Sequence, residues 1–251
     1  MLLINPAAMT NPGDAPHVPD LLKNLFLNFN AALDTANDNT VVETVTMRGN
    51  ATGSSKIWSS LRGNPAVMTK PTAANSGGES YLHFSGTNSL AMAPGATYVT
   101  GNFTIAKRLR IPGSWSSVPS TIGLLRGMPN RNAALFTGGS EGAIRIGYGV
   151  DSGGVKSTII NGGVATNVFD VLVVSYSSDG VITWQYGAQS GTFAAEVSSF
   201  EQLGFGCSLD SANTAGAVFD MSHFAIWDRV LYPEEMQAVR EVWNAKGDIQ
   251  A

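Results

Sequence analysis

The chain has 251 residues, of which 15 are Lys or Arg and 19 are Asp or Glu, so its formal net charge is −4. This acidic balance and the lack of any basic run argue against a nucleic-acid-binding protein. No apolar run approaches the ~20 residues that a membrane-spanning helix needs. Cys207 is the only cysteine, which excludes an intrachain disulfide and suits a small buried side chain. With 28 glycines and 43% hydrophobic residues, the composition predicts short strands, tight turns and a substantial core.

The first 19 residues differ in character from the rest of the chain. They contain four prolines and no hydrophobic periodicity, which predicts an extended N-terminal arm. They also lack the basic start and long apolar stretch of a signal peptide, so we expect a chain made in a cytoplasm and not secreted through a signal peptide. No linker and no internal repeat follow, so residues 20–251 are predicted to form one domain.

The segment that follows the arm supports two interpretations. Asp20 is a good helix cap, and Leu22, Leu25 and Phe29 recur at a spacing that favours a helix over residues 21–33. A strand over residues 25–30 is the alternative.

Short alternating or apolar runs separated by turn residues then continue to the last quarter of the chain. The turns carry Gly-Gly, Pro-Gly and Asp-Gly pairs, which are typical of hairpins and tight loops. About twelve strands predict an all-β fold, a two-sheet antiparallel jelly-roll sandwich. The predicted strands are 41–48, 79–84, 88–92, 103–110, 121–126, 133–136, 143–148, 155–160, 169–176, 181–186, 192–197 and 218–227.

The last predicted strand and a following helix form the most informative pattern in the chain. Strict alternation places two sets of side chains on opposite faces of the strand. A helix follows Pro233, with Glu234 and Glu235 in its positively polarised first turn, and it ends at Lys246-Gly247. The first set in the strand is Phe219, Met221, His223, Ala225 and Trp227, and the second is Phe224 and Ile226.

Three motifs in this order carry a family resemblance. Tyr81-Leu-His-Phe-Ser-Gly-Thr-Asn-Ser-Leu90 and the pair of strands 169–176 and 181–186 precede Asp228-Arg-Val-Leu231 with Glu234-Glu235. Over residues 25–246 the chain resembles laminin-G-like domains of the concanavalin A-like jelly-roll family. The resemblance implies a sandwich closed by a C-terminal helix, and it favours the strand over residues 25–30. Domains of this kind with an N-terminal attachment arm are common in bacteriophage virions.

The sequence lacks the catalytic pattern of the glycosidases that share this fold. Glu196 and Glu201 are five residues apart, which places them on opposite faces of a strand and prevents them from acting as a pair ~5 Å apart. His17, His83 and His223 have no metal-ligand spacing. We therefore expect a protein that is not an enzyme.

Calcium is the cofactor that the resemblance leaves open, because many laminin-G-like domains bind it. Asp151 and Asp179 are the weak candidates for ligands, since both are loop carboxylates. Both also stand where turns prefer Asp for its local backbone hydrogen bonds, so a turn-forming role is favoured. We expect no cofactor and no metal site.

Carbohydrate binding is the function that the fold suggests, because sugar sites on sandwiches place aromatic rings beside amides and arginines. Core packing is the alternative for each aromatic residue. An exposed tryptophan would indicate some kind of interface. The candidates are Trp115, Asn130, Arg131, Tyr148 and Trp184, with Trp58 as a further aromatic.

These observations lead to one expected function and two alternatives. We expect a virion structural, decoration or adhesion protein, present in many copies or as a homo-oligomer. Residues 1–19 would bind other virion proteins and the jelly roll would face outward, toward a protein or a cell-surface glycan. A carbohydrate-binding module outside a virion is the first alternative, and a divergent glycosidase or polysaccharide lyase is the second. Neither a nucleic acid nor a membrane is an expected partner.

Overall fold

The structure is a computed structural model. It describes residues 20–34, 41–60, 66–69, 79–85, 89–92, 101–111, 125–127, 133–138, 143–150, 154–161, 167–194, 203–206 and 218–249. The predicted arm, Cys207, and Glu196 with Glu201 lie outside these residues.

Seventeen described strands alternate with little helix. The strands are β1 (Leu25–Asn30), β2 (Val41–Val42), β3 (Thr44–Thr46), β4 (Ile57–Ser59), β5 (Ala66–Thr69), β6 (Tyr81–Ser85), β7 (Ser89–Met92), β8 (Phe103–Arg110), β9 (Leu125–Gly127), β10 (Ala133–Gly138), β11 (Ala143–Val150), β12 (Gly154–Asn161), β13 (Phe169–Tyr176), β14 (Val181–Tyr186), β15 (Gln189–Ala194), β16 (Leu203–Gly206) and β17 (Val218–Trp227). The helices are α1 (Ala31–Asp34) and α2 (Pro233–Asn244), with a 3₁₀ turn at Gly53–Lys56.

The described strands form two antiparallel sheets. One has nine strands in the order β15-β14-β13-β8-β17-β6-β5-β2, with β1 also paired to β17, and the other has eight in the order β12-β11-β10-β9-β16-β7-β4-β3. The predicted two-sheet sandwich with a C-terminal helix is therefore confirmed. The predicted strands 103–110, 169–176, 181–186 and 218–227 match the observed bounds.

Other local predictions were wrong. The segment 41–48 is divided into β2 and β3, and the strand predicted at 192–197 begins three residues earlier as β15. We did not predict β4, β5 or β16, because runs of three or four residues give too little alternation to be recognised. Pairing with a neighbour decides such short strands.

The two interpretations of residues 21–33 are resolved in favour of the strand. Asp20 caps a single turn, accepting hydrogen bonds from the amides of Leu22 and Lys23 at 3.2 Å. The chain then extends into β1, which pairs with the second half of β17. The strand is favoured over the helix because it buries side chains on both of its faces: Leu27 and Phe29 enter the inter-sheet core, and Leu25 packs on the outer face of the sheet.

A β-bulge in β17 corrects the predicted division of its faces. Met221 lies opposite Leu109 and His223 lies opposite Arg108, so Ser222 is an extra residue. The alternation therefore changes phase at Ser222. Phe219 and Met221 face the inter-sheet core together with Phe224 and Ile226, whereas His223, Ala225 and Trp227 lie on the outer face.

The inter-sheet core is aromatic at its centre. Phe205 lies between Trp58, at 5.3 Å between ring centroids, and Phe224, at 4.8 Å with its ring nearly perpendicular. Phe84 stacks on Phe219 at 4.5 Å. Offset and edge-to-face contacts of this kind add about 0.5–1.5 kcal/mol each to the free energy of burial.

A second apolar cluster lies on the outer face of the nine-stranded sheet, beneath α2. Met236, Val239 and Trp243 are buried against the sheet by their helical spacing. The sheet contributes residues from four strands, and Ile249 of the C-terminal segment completes the cluster. Its members from the sheet and its flanks are Leu25, Ala106, Val171, Val173, Ala225, Trp227 and Leu231.

Both ends of α2 are fixed by side chains and backbone. The carboxylate of Glu235 accepts a hydrogen bond from the amide of Tyr232 at 2.9 Å and pairs with Arg229 at 2.7 Å. At the other end Lys246, not the following glycine, adopts the left-handed conformation with φ 59°. Gly247 is needed for a different reason: its amide bonds to Val242 O at 2.8 Å, and a Cβ there would lie 2.9 Å from the same oxygen.

We expect Trp243→Ala to lower the free energy of unfolding by about 3–5 kcal/mol, because it removes the largest side chain that α2 buries. Urea denaturation of both proteins measures the change. Tyr232→Ala is the matched control, since it truncates an aromatic ring at the start of the same helix that is 61% exposed. Equal effects of the two substitutions would show that α2 is peripheral to the fold.

Lys107 is a basic residue whose side chain lies in the apolar inter-sheet core. It lies on the same face of β8 as Phe103, Ile105 and Leu109, which face the other sheet, and it is 2% exposed. Its Nζ has no hydrogen-bond partner among the described residues. Burial lowers the pKa of the Lys107 amine well below its ordinary value of 10.5.

We expect Lys107→Met to raise the free energy of unfolding by about 1–3 kcal/mol, because it replaces an unpaired buried polar group with an apolar one of similar length. Lys107→Arg is the control and should destabilise, since a guanidinium remains charged. Urea denaturation near neutral pH measures both. A stability loss in the Met variant as large as in the Arg variant would show that the amine makes a favourable interaction in the native state.

Candidate functional site

The register of four strands brings polar side chains into two rows on the outer face of the nine-stranded sheet. In the first row, Phe169, Arg110, Asp220 and His83 lie side by side on β13, β8, β17 and β6. In the second row, Arg108, His223 and Asn30 lie side by side on β8, β17 and β1. We call the first four residues, with Tyr81 of β6, the stacked row.

The helix α2 covers the apolar part of this face and ends at the second row. Asn244 is its last residue, and its Oδ1 accepts a hydrogen bond from Arg108 Nε at 3.4 Å. Trp243 stacks on the His223 ring with centroids 5.3 Å apart. The stacked row lies beyond this end, and the side chains of Arg110 and His83 are 29% and 39% exposed.

Asp220 is the centre of the stacked row. Its buried carboxylate accepts a hydrogen bond from Arg110 Nε at 2.8 Å and lies 2.7 Å from His83 Nδ1. Because a carboxylate accepts at that distance, Nδ1 carries a hydrogen and the Nε2 of a neutral ring is left as an acceptor. The carboxylate therefore fixes the orientation of both neighbouring side chains.

Two aromatic rings flank Arg110. Its guanidinium carbon lies 4.6 Å from the ring centre of Tyr81 and 4.8 Å from that of Phe169. Arg108 reaches the same Phe169 ring at 4.9 Å. Partial desolvation lowers the pKa of Arg110, but hydrogen bonding and attraction to Asp220, with a smaller contribution from Tyr81, together outweigh it, so the pKa is raised. Cations held against aromatic faces in this way form a pre-ordered surface with both apolar and hydrogen-bonding character.

Beside the stacked row, the second row opens into a pocket of about 180 Å³. Two of its walls come from the segment before β6 and from α1, and a third comes from the residue that follows the C-terminal cap of α2. The lining residues are Asn30, Ala32, Glu79, Ser80, Arg108, Ser222, His223 and Lys246. We refer to this space as the pocket.

A buried ion pair gives the pocket one of its walls. Arg108 Nη1 and Nη2 both donate to the carboxylate of Glu79, Nη2 over 2.8 Å, and Nη1 also donates to Ser222 Oγ at 3.1 Å. Ser222 is the extra residue of the bulge, so the irregularity in β17 supplies a hydrogen-bond acceptor to Arg108. Lys246 Nζ lies 4.0 Å from Glu79 Oε1 at the open side.

His223 also lines the pocket, and it is 5% exposed. Its Nδ1 lies 3.0 Å from Ser222 Oγ, and its Nε2 has no hydrogen-bond partner within the described part of the chain. Burial and, to a smaller extent, the charge of Arg108 together lower the pKa of His223 to about 4, against smaller opposing effects of Asp248, Glu79 and the Gly247 backbone. The imidazole is therefore neutral at neutral pH.

The C-terminal segment is held beside the pocket by a polar network. Arg48 bridges two carboxylates, with Nε 2.9 Å from Asp34 and Nη1 2.8 Å from Asp248. Asn30 Nδ2 donates to the same Asp248 at 3.2 Å, and Asn28 Nδ2 donates to the carbonyl of Ile249. These bonds tie the segment after α2 to β1 and so hold Lys246 at the rim.

Of the carbohydrate-binding candidates from the sequence, only Trp184 and Trp58 have side chains among the described residues. Trp184 is 8% exposed and packs in the inter-sheet core, where its ring lies against Gly191. Trp58 is also in that core. Tyr148 lies on β11, opposite Lys156, and its side chain is outside the described residues. Trp115, Asn130, Arg131 and Asp151 lie outside them too.

Asp179 acts as a turn residue. Its carboxylate accepts a hydrogen bond from the Val181 amide at 3.4 Å, at the tip of the β13–β14 hairpin. Hydrogen bonding from Ser177 lowers the pKa of this exposed carboxyl. Among the described residues, no three His, Cys, Asp or Glu side chains converge in a way that could hold a metal ion, and no helix there is both long and apolar enough to cross a membrane.

Sequence reasoning missed the pocket and the stacked row. A signal was present in β8, where Arg108 and Arg110 alternate with apolar residues in an otherwise buried strand. A second signal was Asp220 in the apolar strand β17. Two arginines and a carboxylate on one face of neighbouring strands favour a paired polar surface, but the strand order was required to bring them together.

Comparison with known proteins supports the fold but does not assign the chain to a family. No protein-family model matches the chain, and no curated protein matches it in sequence. The botulinum neurotoxin serotype D binding domain matches in structure with a TM-score of 0.60 and 14% identity, over 87% of this chain and 50% of that one. At such identity the likeness shows the fold alone.

Two further matches are complexes. The serotype D ligand binding domain in complex with N-acetylneuraminic acid has a TM-score of 0.58 at 11% identity, over 87% of this chain and 50% of that one. The binding domain of botulinum neurotoxin DC in complex with rat synaptotagmin II has a TM-score of 0.57 at 11% identity, over 87% and 51%. This chain thus spans about half the length of the structures it matches. The chain is a β-sandwich of the jelly-roll kind; membership of the concanavalin A-like family stays a prediction.

We expect the stability of the protein to fall as the pH is lowered from about 6.5 to about 4, by about 3 kcal/mol more than that of a His223→Gln variant. The unfolded chain takes up a proton at His223 near pH 6.5, whereas the folded chain resists protonation until about pH 4. Stability from the neutral ring is therefore complete above pH 6.5 and lost between the two values.

Urea denaturation at a series of pH values measures this difference, and comparing slopes removes any constant effect of the substitution. An NMR titration of the His223 ring in the folded protein is the direct check. A midpoint near 6.5 would show that the ring is solvated and that the pocket wall is not buried.

Proposed function

We propose that the protein is a non-enzymatic binding module whose recognition surface is the stacked row together with the pocket, and whose ligand is a glycan. The observation that carries the proposal is the pre-ordered arrangement of Tyr81, Arg110 and Asp220 on a partly exposed face, where α2 leaves the sheet uncovered. Aromatic rings contact the C–H faces of sugars, and paired arginine and carboxylate groups bind their hydroxyls.

The comparisons support binding in general. The matched structures include binding domains of this fold in complex with N-acetylneuraminic acid and with rat synaptotagmin II. Because this chain corresponds to about half of those domains, they do not locate the ligand on it. A protein partner is the second candidate, because partly exposed tyrosine and arginine are also the side chains that dominate protein interfaces.

The finer proposal is an adhesion or decoration protein of a virion. A shallow sugar site binds weakly, because few contacts must offset the cost of association. Presentation of many copies on one particle converts later contacts into effectively intramolecular ones. The proline-rich residues 1–19, which lack hydrophobic periodicity, suit an attachment segment. The same module outside a virion is the alternative.

We expect Tyr81→Ala to weaken binding to cells or to an immobilised glycan about tenfold or more, which corresponds to about 1.4 kcal/mol. Surface plasmon resonance on a glycan panel measures this, with thermal melting to show that the fold is retained. Tyr232→Ala is the matched control, since it removes an exposed tyrosine at the start of α2.

Trp115→Ala tests the loop site that the sequence suggested. If it abolishes binding while Tyr81→Ala does not, the recognition surface is that loop.

We expect deletion of residues 1–19 to leave the sandwich folded and soluble while preventing incorporation into particles. The reason is that these residues contain four prolines and no hydrophobic periodicity, so their sequence does not predict a contribution to the core. Co-sedimentation of tagged full-length and shortened chains with particles is the measurement, and thermal melting is the control for folding. Normal incorporation of the shortened chain would exclude the arm as the anchor and favour a module outside a virion.

A further inference from the structure

We infer that the pocket holds one uncharged, hydroxyl-rich sugar ring, with the Nε2 of His223 bonded to one of its hydroxyl groups. This inference deepens the proposed function and rests on it, because it names the class of ligand that enters the pocket beside the stacked row. Four observations lead to it: the size of the pocket, the charges that line it, the unsatisfied nitrogen in its wall and the apolar side chain at its rim.

The size of the pocket selects a single ring. A volume of about 180 Å³ is below the ~300–1,000 Å³ of sites that enclose a drug-sized ligand. One ring with its hydroxyl groups fits this space, and the rest of a longer glycan would extend over the stacked row, since Ser80 of the pocket directly precedes Tyr81.

The charges of the pocket disfavour an ionic ligand of either sign. Four of the five guanidinium hydrogens of Arg108 are already used, in two bonds to Glu79 and one each to Ser222 and Asn244. An anion would therefore meet the Glu79 carboxylate without a free arginine fork to bind it. A cation would be repelled by Arg108 and Lys246. An uncharged ligand avoids both costs.

The hydrogen-bonding groups that remain suit hydroxyls. The Nε2 of His223 is buried and has no hydrogen-bond partner among the described residues, and a buried polar atom left unsatisfied costs about 1–3 kcal/mol. A hydroxyl can donate to this nitrogen or accept from it, so it satisfies either tautomer of a neutral ring. Ser80 and the free lone pairs of Glu79 are further partners for neighbouring hydroxyls.

The rim supplies the apolar contact that a sugar ring also needs. Ala32 of α1 lines the pocket and is exposed, so its methyl group faces the opening. Its neighbour Leu33 is 59% exposed and does not line the pocket. These two adjacent positions allow the pocket to be blocked without changing the core.

The test uses the full chain, with Ala32→Trp to fill the pocket and Leu33→Trp as the matched control. The probes are methyl glycosides of galactose, glucose and mannose, with N-acetylneuraminic acid and inorganic phosphate as anionic probes. Saturation-transfer NMR measures binding, and the ¹⁵N shift of His223 reports contact with its ring. Melting temperatures confirm that both variants are folded.

We expect at least one neutral glycoside to shift the His223 Nε2 signal and to lose tenfold or more in affinity in the Ala32→Trp variant, but not in Leu33→Trp. We expect the anionic probes to bind at least tenfold more weakly. Tighter binding of either anion at this site, or no perturbation of His223 by any neutral glycoside, would overturn the inference. If glycan or cell binding survives in Ala32→Trp and is lost in Tyr81→Ala, the pocket assignment fails while the proposed function stands. Failure of both variants to affect binding would instead contradict the proposed function.

Discussion

The bulge at Ser222 is the constraint on which the rest of the structure depends. β17 pairs with β8 along one edge and is shared between β6 and β1 along the other. The extra residue lies where β17 passes from β6 to β1, and it reverses the faces of the strand. Without it, Phe224 and Ile226 would leave the inter-sheet core, and His223 and Trp227 would enter it, so neither the core nor the outer cluster could form as observed.

The outer face of the nine-stranded sheet is divided by the length of α2. The helix buries apolar side chains such as Ala225 and Val173 and ends at Asn244, where the sheet becomes polar. The poorly exposed carboxylates there are tolerated because they are paired: Glu79 with Arg108, and Asp220 with Arg110. Removal of either arginine would leave a carboxylate charged and largely shielded from water. The pairing therefore keeps these side chains in one geometry and produces a pre-ordered surface.

Among the buried side-chain atoms that lack a hydrogen-bond partner in the described residues, two belong to groups whose pKa is lowered by burial. Lys107 lies in the inter-sheet core and His223 in the pocket wall, and each has an unsatisfied nitrogen. Burial lowers the pKa of both, so each favours its neutral form. Their positions differ in one respect: Lys107 is surrounded by apolar side chains of its own strand, whereas His223 adjoins an open space. An unsatisfied group beside a cavity is the one that a ligand can satisfy.

The sequence by itself determined the all-β class, the long strands and the C-terminal helix. These elements have enough residues for period-two or period-3.6 patterns to be recognised, as in β8, β13 and α2. The choice of a strand over a helix at Leu25–Asn30, the short strands and the phase of β17 were decided by tertiary structure, because each depends on hydrogen bonds to a partner strand that is distant in the chain. The candidate site was decided in the same way. Arg108 and Asp220 are recognisable as charged residues in apolar strands, but only the order and register of β13, β8, β17, β6 and β1 place them beside Tyr81 and His223.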